Sequence, residues 1–188
     1  PWLLAHALRA HDRIACCELQ PEEAAALKAN FAGDARVAVH ARDGYAAIKA
    51  LLPPKVDGER YARGLVLIDP PYEAQLAEFD AAFVALREGL ARWPQATFAL
   101  WYPIKQRRTL QPMLREAAAL PAKSSLLAEL LVRPDDSPLR MHGSGMLLLN
   151  PPFGLEHQLA LALAALRAML GEGEGRGDAR IAWAKSRD

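Results

Sequence analysis

Gly64-Leu65-Val66-Leu67-Ile68-Asp69-Pro70-Pro71-Tyr72 decides how this chain is read. An uninterrupted aliphatic run is the pattern of a parallel strand buried on both faces. It stops abruptly at an acid, two prolines and a tyrosine. In an open α/β sheet, ligands bind just beyond the carboxyl ends of the strands. Consecutive prolines make a stiff turn and donate no backbone hydrogen bond, so their carbonyls are left to face a ligand. An exocyclic amine has two hydrogens to place, and Asp69 with the Pro70 carbonyl supplies two acceptors. Accepting from both draws the nitrogen lone pair out of conjugation and toward an incoming methyl group. Tyr72 is suited to stack on a flat base, a contact worth about 1–3 kcal/mol. Such chemistry needs no covalent intermediate, only positioning and electrostatics. Taken alone, these four residues are as easily a simple strand-ending turn, so the rest of the chain must decide.

Strands and helices alternate on both sides of this stretch. A helical pattern begins at Trp2. Strands are expected at residues 13–19, 36–40, 64–68, 96–102, 124–132, 145–149 and 180–184, and helices at 21–31, 43–52, 76–92, 105–120 and 155–170. Residues 55–63 read as a polar loop, and 171–177 as a Gly/Glu/Arg loop. The alternation argues a doubly wound α/β sheet, mostly parallel, with an antiparallel pair among the closely spaced last strands. No linker interrupts the chain, so residues 1–188 read as a single domain. The helix at 155–170, rich in Leu and Ala, is expected to cover one face of the sheet.

Composition agrees with a folded soluble protein. Of 188 residues, 52% are hydrophobic and 24% charged, which excludes a disordered chain. No apolar run approaches the roughly 20 residues of a spanning helix. A net charge of +1 does not advertise a nucleic-acid partner by itself. The adjacent Cys16 and Cys17 lie in a strand and point to opposite faces, so a disulfide between them would be strained. Two buried free thiols suggest the reducing cytoplasm. The five histidines show no ligand spacing, and no metal is expected. The chain starts at Pro1 rather than Met, as though part of a longer protein.

Two acids precede the Asp-Pro-Pro-Tyr turn, each at the end of a strand. Glu18 is placed to hold ribose hydroxyls. Asp43 is placed to accept the amino group of an adenine ring, while Gly44 lets the backbone approach. Their bland readings are a solvated strand end and a helix N-cap. Trp101 ends the strand after Asp69 and borders the expected pocket. Lys105, Arg107, Arg108 and Arg115 form a basic stretch on the following helix, by default a solvated face but the best local candidate for RNA phosphates. Asn150-Pro151-Pro152-Phe153 imitates the first turn but comes three strands later, and reads as structural.

Three blocks sharpen this picture: Leu65 through Glu73, Ala99-Leu100-Trp101-Tyr102-Pro103, and Ser144-Gly145-Met146 leading to Asn150-Pro151-Pro152. Together they resemble the RlmJ family of class I S-adenosylmethionine-dependent methyltransferases, which act on the N6 of an adenine in 23S ribosomal RNA. The resemblance runs from Pro1 to about Trp183. It implies a Rossmann-like sheet lacking its first strand, the chain being the C-terminal two-thirds of a longer one. It implies S-adenosylmethionine as cofactor, held by Glu18, Asp43, Gly44 and Asp69. Asp69, Pro70, Pro71 and Tyr72 become catalytic, and Tyr72, Trp101 and Lys105 meet the substrate. The implied partner is ribosomal RNA, protein-poor 23S RNA, in the cytoplasm; the residues themselves lead to the expectation of no membrane and no metal, and leave the oligomeric state open with a monomer plausible. The family's first strand and glycine-rich loop lie upstream of the segment matching Pro1. Nothing here substitutes for that loop: Gly171-Glu172-Gly173-Glu174-Gly175 is too acidic and follows a helix, not a strand. The alternatives left open are DNA adenine or other nucleobase amino-group methylation, and a non-catalytic nucleic-acid-binding remnant.

Overall fold

The computed structural model describes residues 1–56, 58–72, 75–133, 141–172 and 177–186. Glu73 and the core of the acidic glycine loop, 173–175, lie outside these. The chain divides into two compact units, Pro1–Leu52 and Pro53–Asp188.

The first unit runs α1 (Trp2–Ala7), β1 (Ile14–Glu18), α2 (Pro21–Asn30), β2 (Val37–Ala41) and α3 (Gly44–Leu51). β1 and β2 are parallel, in register from Ile14 opposite Val37 to Glu18 opposite Ala41. Helix α2 opens with a proline and two acids in its first turn, where a missing N–H costs nothing and negative charge meets the positive end of the helix dipole. Arg36 donates to the carbonyls of Leu8 and Ala5, satisfying the end of α1. The same guanidinium grips Asp34, and those hydrogen bonds hold its carboxyl down to about 2. Cys16 and Cys17 are free but half-buried rather than buried, and that partial burial raises both thiol pKa values.

The second unit starts with a small antiparallel hairpin, β3 (Lys55–Val56) and β4 (Glu59–Arg60), inside the stretch read as a polar loop. There follow β5 (Leu65–Ile68), α4 (Gln75–Arg92), β6 (Thr97–Ile104), a 3-10 turn (Arg107–Leu110), α5 (Gln111–Ala119), β7 (Ser125–Leu131), β8 (Gly143–Leu149), α6 (Leu155–Leu170) and β9 (Asp178–Lys185). Five strands form one sheet in the order β5-β6-β8-β7-β9. β5 and β6 are parallel. β8 is antiparallel to both its neighbours, and β9 is antiparallel to β7. The antiparallel part of this α/β sheet is thus larger than a single pair.

One face of the sheet carries Phe98, Leu100 and Tyr102, all fully buried. α4 lies on it closely enough that a Cβ on Gly89 would stand 2.4 Å from the Phe98 ring. The other face carries Ala99, Leu126 and Leu148, covered by Leu155 and Leu159 of α6. This bears out α6 as a covering helix. The aliphatic run 65–68 is not buried on both faces, however. Ile68 is buried, but Leu65 is 55% and Leu67 47% exposed. The reason is topological: Leu67 shares the α6 face through its partner Ala99, and α6 packs on β7 and β9, too far along the sheet to cover its β5 end. The outer edge of β5 pairs with nothing among the described residues. Among those residues no helix is long and apolar enough to cross a membrane.

Candidate active site

β5 runs parallel to β6, with Ile68 opposite Leu100. The chain therefore leaves β5 in the carboxyl direction of β6 but beside that strand's middle, because β6 runs on to Ile104, and Asp69 is the first residue out. Asp69 and Pro71 are exposed, whereas Pro70 and Tyr72 are buried. Tyr72 has φ +54°, a left-handed conformation that costs a residue with a Cβ about 1–2 kcal/mol and persists only where its surroundings hold it. Those surroundings are visible. The Tyr72 hydroxyl donates to the Trp101 carbonyl at 2.5 Å. Its ring packs against Phe79 and Trp101, with centroids 5.2 and 5.7 Å away. Tyr72 is 5% exposed, so it does not offer the open stacking face expected from the sequence. Its evident job is to fasten the Asp-Pro-Pro turn to β6.

Trp101 is half-buried beside it, and Lys105 stands exposed one residue beyond β6. The basic stretch that follows is split by the fold. Arg107 turns inward, facing Glu129 at 3.4 Å and donating to Asp178 at 3.2 Å. This leaves Lys105, Arg108 and Arg115 as its exposed cations. The expected helix from 105 is instead a 3-10 turn followed by α5, whose second residue is Pro112.

The second Pro-Pro turn behaves differently. Asn150 is also left-handed, at φ +52°. Its Oδ1 accepts from the Lys123 N–H at 2.8 Å, and its Nδ2 donates to Pro94 at 3.1 Å and Ala96 at 3.4 Å. Thr97 Oγ1 donates to its carbonyl at 2.9 Å. All these partners lie at the amino ends of β6 and β7, because β8 runs antiparallel to both.

In the first unit, Glu18 closes β1 and Asp43 follows β2 by two residues. The Arg42 N–H donates to the Glu18 carbonyl at 2.9 Å, so both acids stand at one end of the strand pair. Glu18 Oε1 accepts from the Gln20 N–H at 2.8 Å. Asp43 caps α3, accepting from Tyr45 N–H at 2.9 Å and Ala46 N–H at 3.4 Å. A carboxylate has about four lone-pair sites, so capping does not exhaust it. A Cβ on Gly44 would meet only Cys17 Cβ, at an ordinary 3.9 Å. Nothing inside the unit demands glycine there. Among the described residues, no group of three or more His, Cys, Asp or Glu is arranged to hold a metal ion.

The chain matches the family model described as "Ribosomal RNA large subunit methyltransferase D, RlmJ" over residues 1–185. It is 39% identical over 183 residues to Ribosomal RNA large subunit methyltransferase J of Haemophilus influenzae (strain ATCC 51907 / DSM 11121 / KW20 / Rd), an alignment covering 97% of this chain and 63% of that protein. To the protein of the same name from Escherichia coli (strain K12) it is 36% identical over 176 residues, covering 94% and 60%. A crystal structure of a protein from Legionella pneumophila str. Philadelphia 1 shares the fold with a TM-score of 0.82 at 27% identity, covering 97% of this chain and 64% of that one. The chain therefore spans somewhat over half the length of the relatives it matches.

Proposed function

Since this chain belongs to the family described as Ribosomal RNA large subunit methyltransferase D, RlmJ, we propose that it transfers a methyl group from S-adenosylmethionine to the exocyclic N6 amine of an adenine in 23S ribosomal RNA. The observation that carries this is the Asp69-Pro70-Pro71-Tyr72 turn at the carboxyl end of β5, pinned to Trp101 in the middle of β6 by the Tyr72 hydroxyl. An exposed carboxylate on a stiff, anchored turn is what an amine acceptor requires.

The donor set of the first unit fits the adenosyl part of the cofactor. Glu18 is assigned to the ribose hydroxyls and Asp43 to the adenine amine. Gly44 fits a close approach, because no internal contact explains its missing side chain. When bound, S-adenosylmethionine supplies an electrophilic methyl group on a sulfonium sulfur. Asp69 accepts one hydrogen of the target amine and the Pro70 carbonyl the other, which aims the nitrogen lone pair outward. Pro71 keeps the turn stiff and Tyr72 keeps it in place. The Trp101 ring borders the base, and Lys105 meets an RNA phosphate. Both units are assigned to one methyltransferase domain, acting as a monomer on protein-poor RNA in the cytoplasm, a compartment that suits the free Cys16 and Cys17 thiols.

The test is transfer of labelled methyl from S-adenosylmethionine to unmethylated 23S RNA by the full-length enzyme, followed by digestion to nucleosides. Label in N6-methyladenosine is expected. Label in any other nucleoside, or none, overturns the assignment.

A further inference from the structure

Tyr102, Gly145 and Glu129 stand in one cross-strand row, on β6, β8 and β7. A Cβ on Gly145 would fall 2.2 Å from Tyr102 Cζ, so only glycine lets the ring lie across the middle strand. The ring thereby reaches the third strand, where its hydroxyl donates to Glu129 Oε1 at 3.0 Å. Glu129 is 2% exposed. Its other oxygen faces Arg107 Nε at 3.4 Å, and Arg107 is held from outside by Asp178 of β9. One buried carboxylate thus fastens the exit of β6 at two points, with Lys105 between them.

A buried ion pair is weak evidence for stability, because a well-packed apolar side chain of similar volume often does as well or better. What this one fixes is geometry. Tyr102 directly follows Trp101, whose carbonyl receives the Tyr72 hydroxyl. The backbone that carries the Asp-Pro-Pro turn on one side is paired with β8 on the other, and the Tyr102–Glu129 bond adds a side-chain tether across that ladder.

We propose that Glu129 is a positioning residue for methyl transfer: it acts through Tyr102 to hold the part of β6 on which the amine-binding turn rests. This rests on the function proposed above. Glu129 touches neither substrate nor cofactor, and a displacement it causes is felt at Asp69. Misplacing a reacting group by about 1 Å costs as much as 100-fold in rate, so the expected signature is a loss in kcat.

The experiment compares Glu129→Leu, Glu129→Gln and Tyr102→Phe in the full-length enzyme, with methyl transfer to unmethylated 23S RNA as the assay. For Glu129→Leu and Tyr102→Phe, kcat is expected to fall about tenfold or more. The RNA KM and the S-adenosylmethionine Kd are expected to stay near wild type. Glu129→Gln retains an acceptor for Tyr102 and recovers most of the loss. A folded Glu129→Leu or Tyr102→Phe enzyme with wild-type kcat overturns the proposal, as does a loss confined to KM or to cofactor affinity. If Glu129→Leu fails to fold, Tyr102→Phe, which removes one hydroxyl, is read by the same rule. A wild-type enzyme that labels no adenine refutes the proposed function instead, so the two failures are told apart.

Discussion

The second unit contains two turns of nearly the same composition, Asp69-Pro70-Pro71-Tyr72 and Asn150-Pro151-Pro152-Phe153, each following an aliphatic strand. They do opposite work. In the first, the leading acid is exposed and the closing aromatic is buried and bonded to β6. In the second, the leading amide is spent on hydrogen bonds to its own fold, and the closing aromatic, Phe153, is 93% exposed. The left-handed residue is the last of one turn and the first of the other. Strand direction explains the contrast. β5 is parallel to β6 and β8 antiparallel to it, so one turn leaves in the carboxyl direction of β6 and the other at its amino end. Under the proposed function, the direction in which a Pro-Pro turn leaves the sheet decides whether it meets substrate or only holds the fold.

Four substitutions in the full-length enzyme sharpen or break that contrast. Asp69→Ala is expected to lower methyl transfer about 10²- to 10³-fold, the scale of losing one preorganised polar group at a reacting centre, with little change in Tm. A variant with near wild-type transfer would remove Asp69 from the chemistry. Asn150→Ala should do the reverse. It loses about three hydrogen bonds at roughly 1 kcal/mol each and leaves a residue less tolerant of positive φ, a destabilisation of about 3 kcal/mol measured by chemical denaturation. The folded fraction should keep the wild-type kcat, and a large kcat defect would bring the second turn into the active site. Tyr72→Phe deletes only the hydroxyl that meets the Trp101 carbonyl. A cost of about 1 kcal/mol in stability is expected, together with a measurable fall in kcat. Stability loss with unchanged kcat would reduce Tyr72 to a packing residue. Phe153→Ala should move neither stability nor rate, staying within about 0.5 kcal/mol as surface changes usually do.

Much of this was legible in the sequence because it depends on neighbours along the chain. The aliphatic run beside an acid and two prolines marks a strand end, and Asp43-Gly44 marks a helix start, whatever else the fold does. What stayed hidden depends on partners in space. The direction of β8 leaves no local trace, so the sequence does not show how much of the sheet is antiparallel. Glu129 looks like an ordinary polar residue in an apolar strand until register sets it beside Gly145 and Tyr102. Arg107 looks like its cationic neighbours until the 3-10 turn points it inward. The burial of Tyr72 is equally silent in the sequence, because no short-range signal tells a buried aromatic from an exposed one. The exposure of Leu65 and Leu67 is hidden for a similar reason, because a central strand and an edge strand can share the same letters.

The outer edge of β5 has a consequence for what can pair with it. An unpaired aliphatic edge presents a row of N–H and C=O groups to any second strand. Leu65 and Leu67, half-exposed beside that edge, supply the apolar side chains that make such pairing adhesive. Yet the strand is only four residues long and runs straight into Asp69-Pro70-Pro71, and a short edge closed by an acid and two prolines is poorly suited to extended pairing. A strand that adds there is stopped at the turn that carries Asp69.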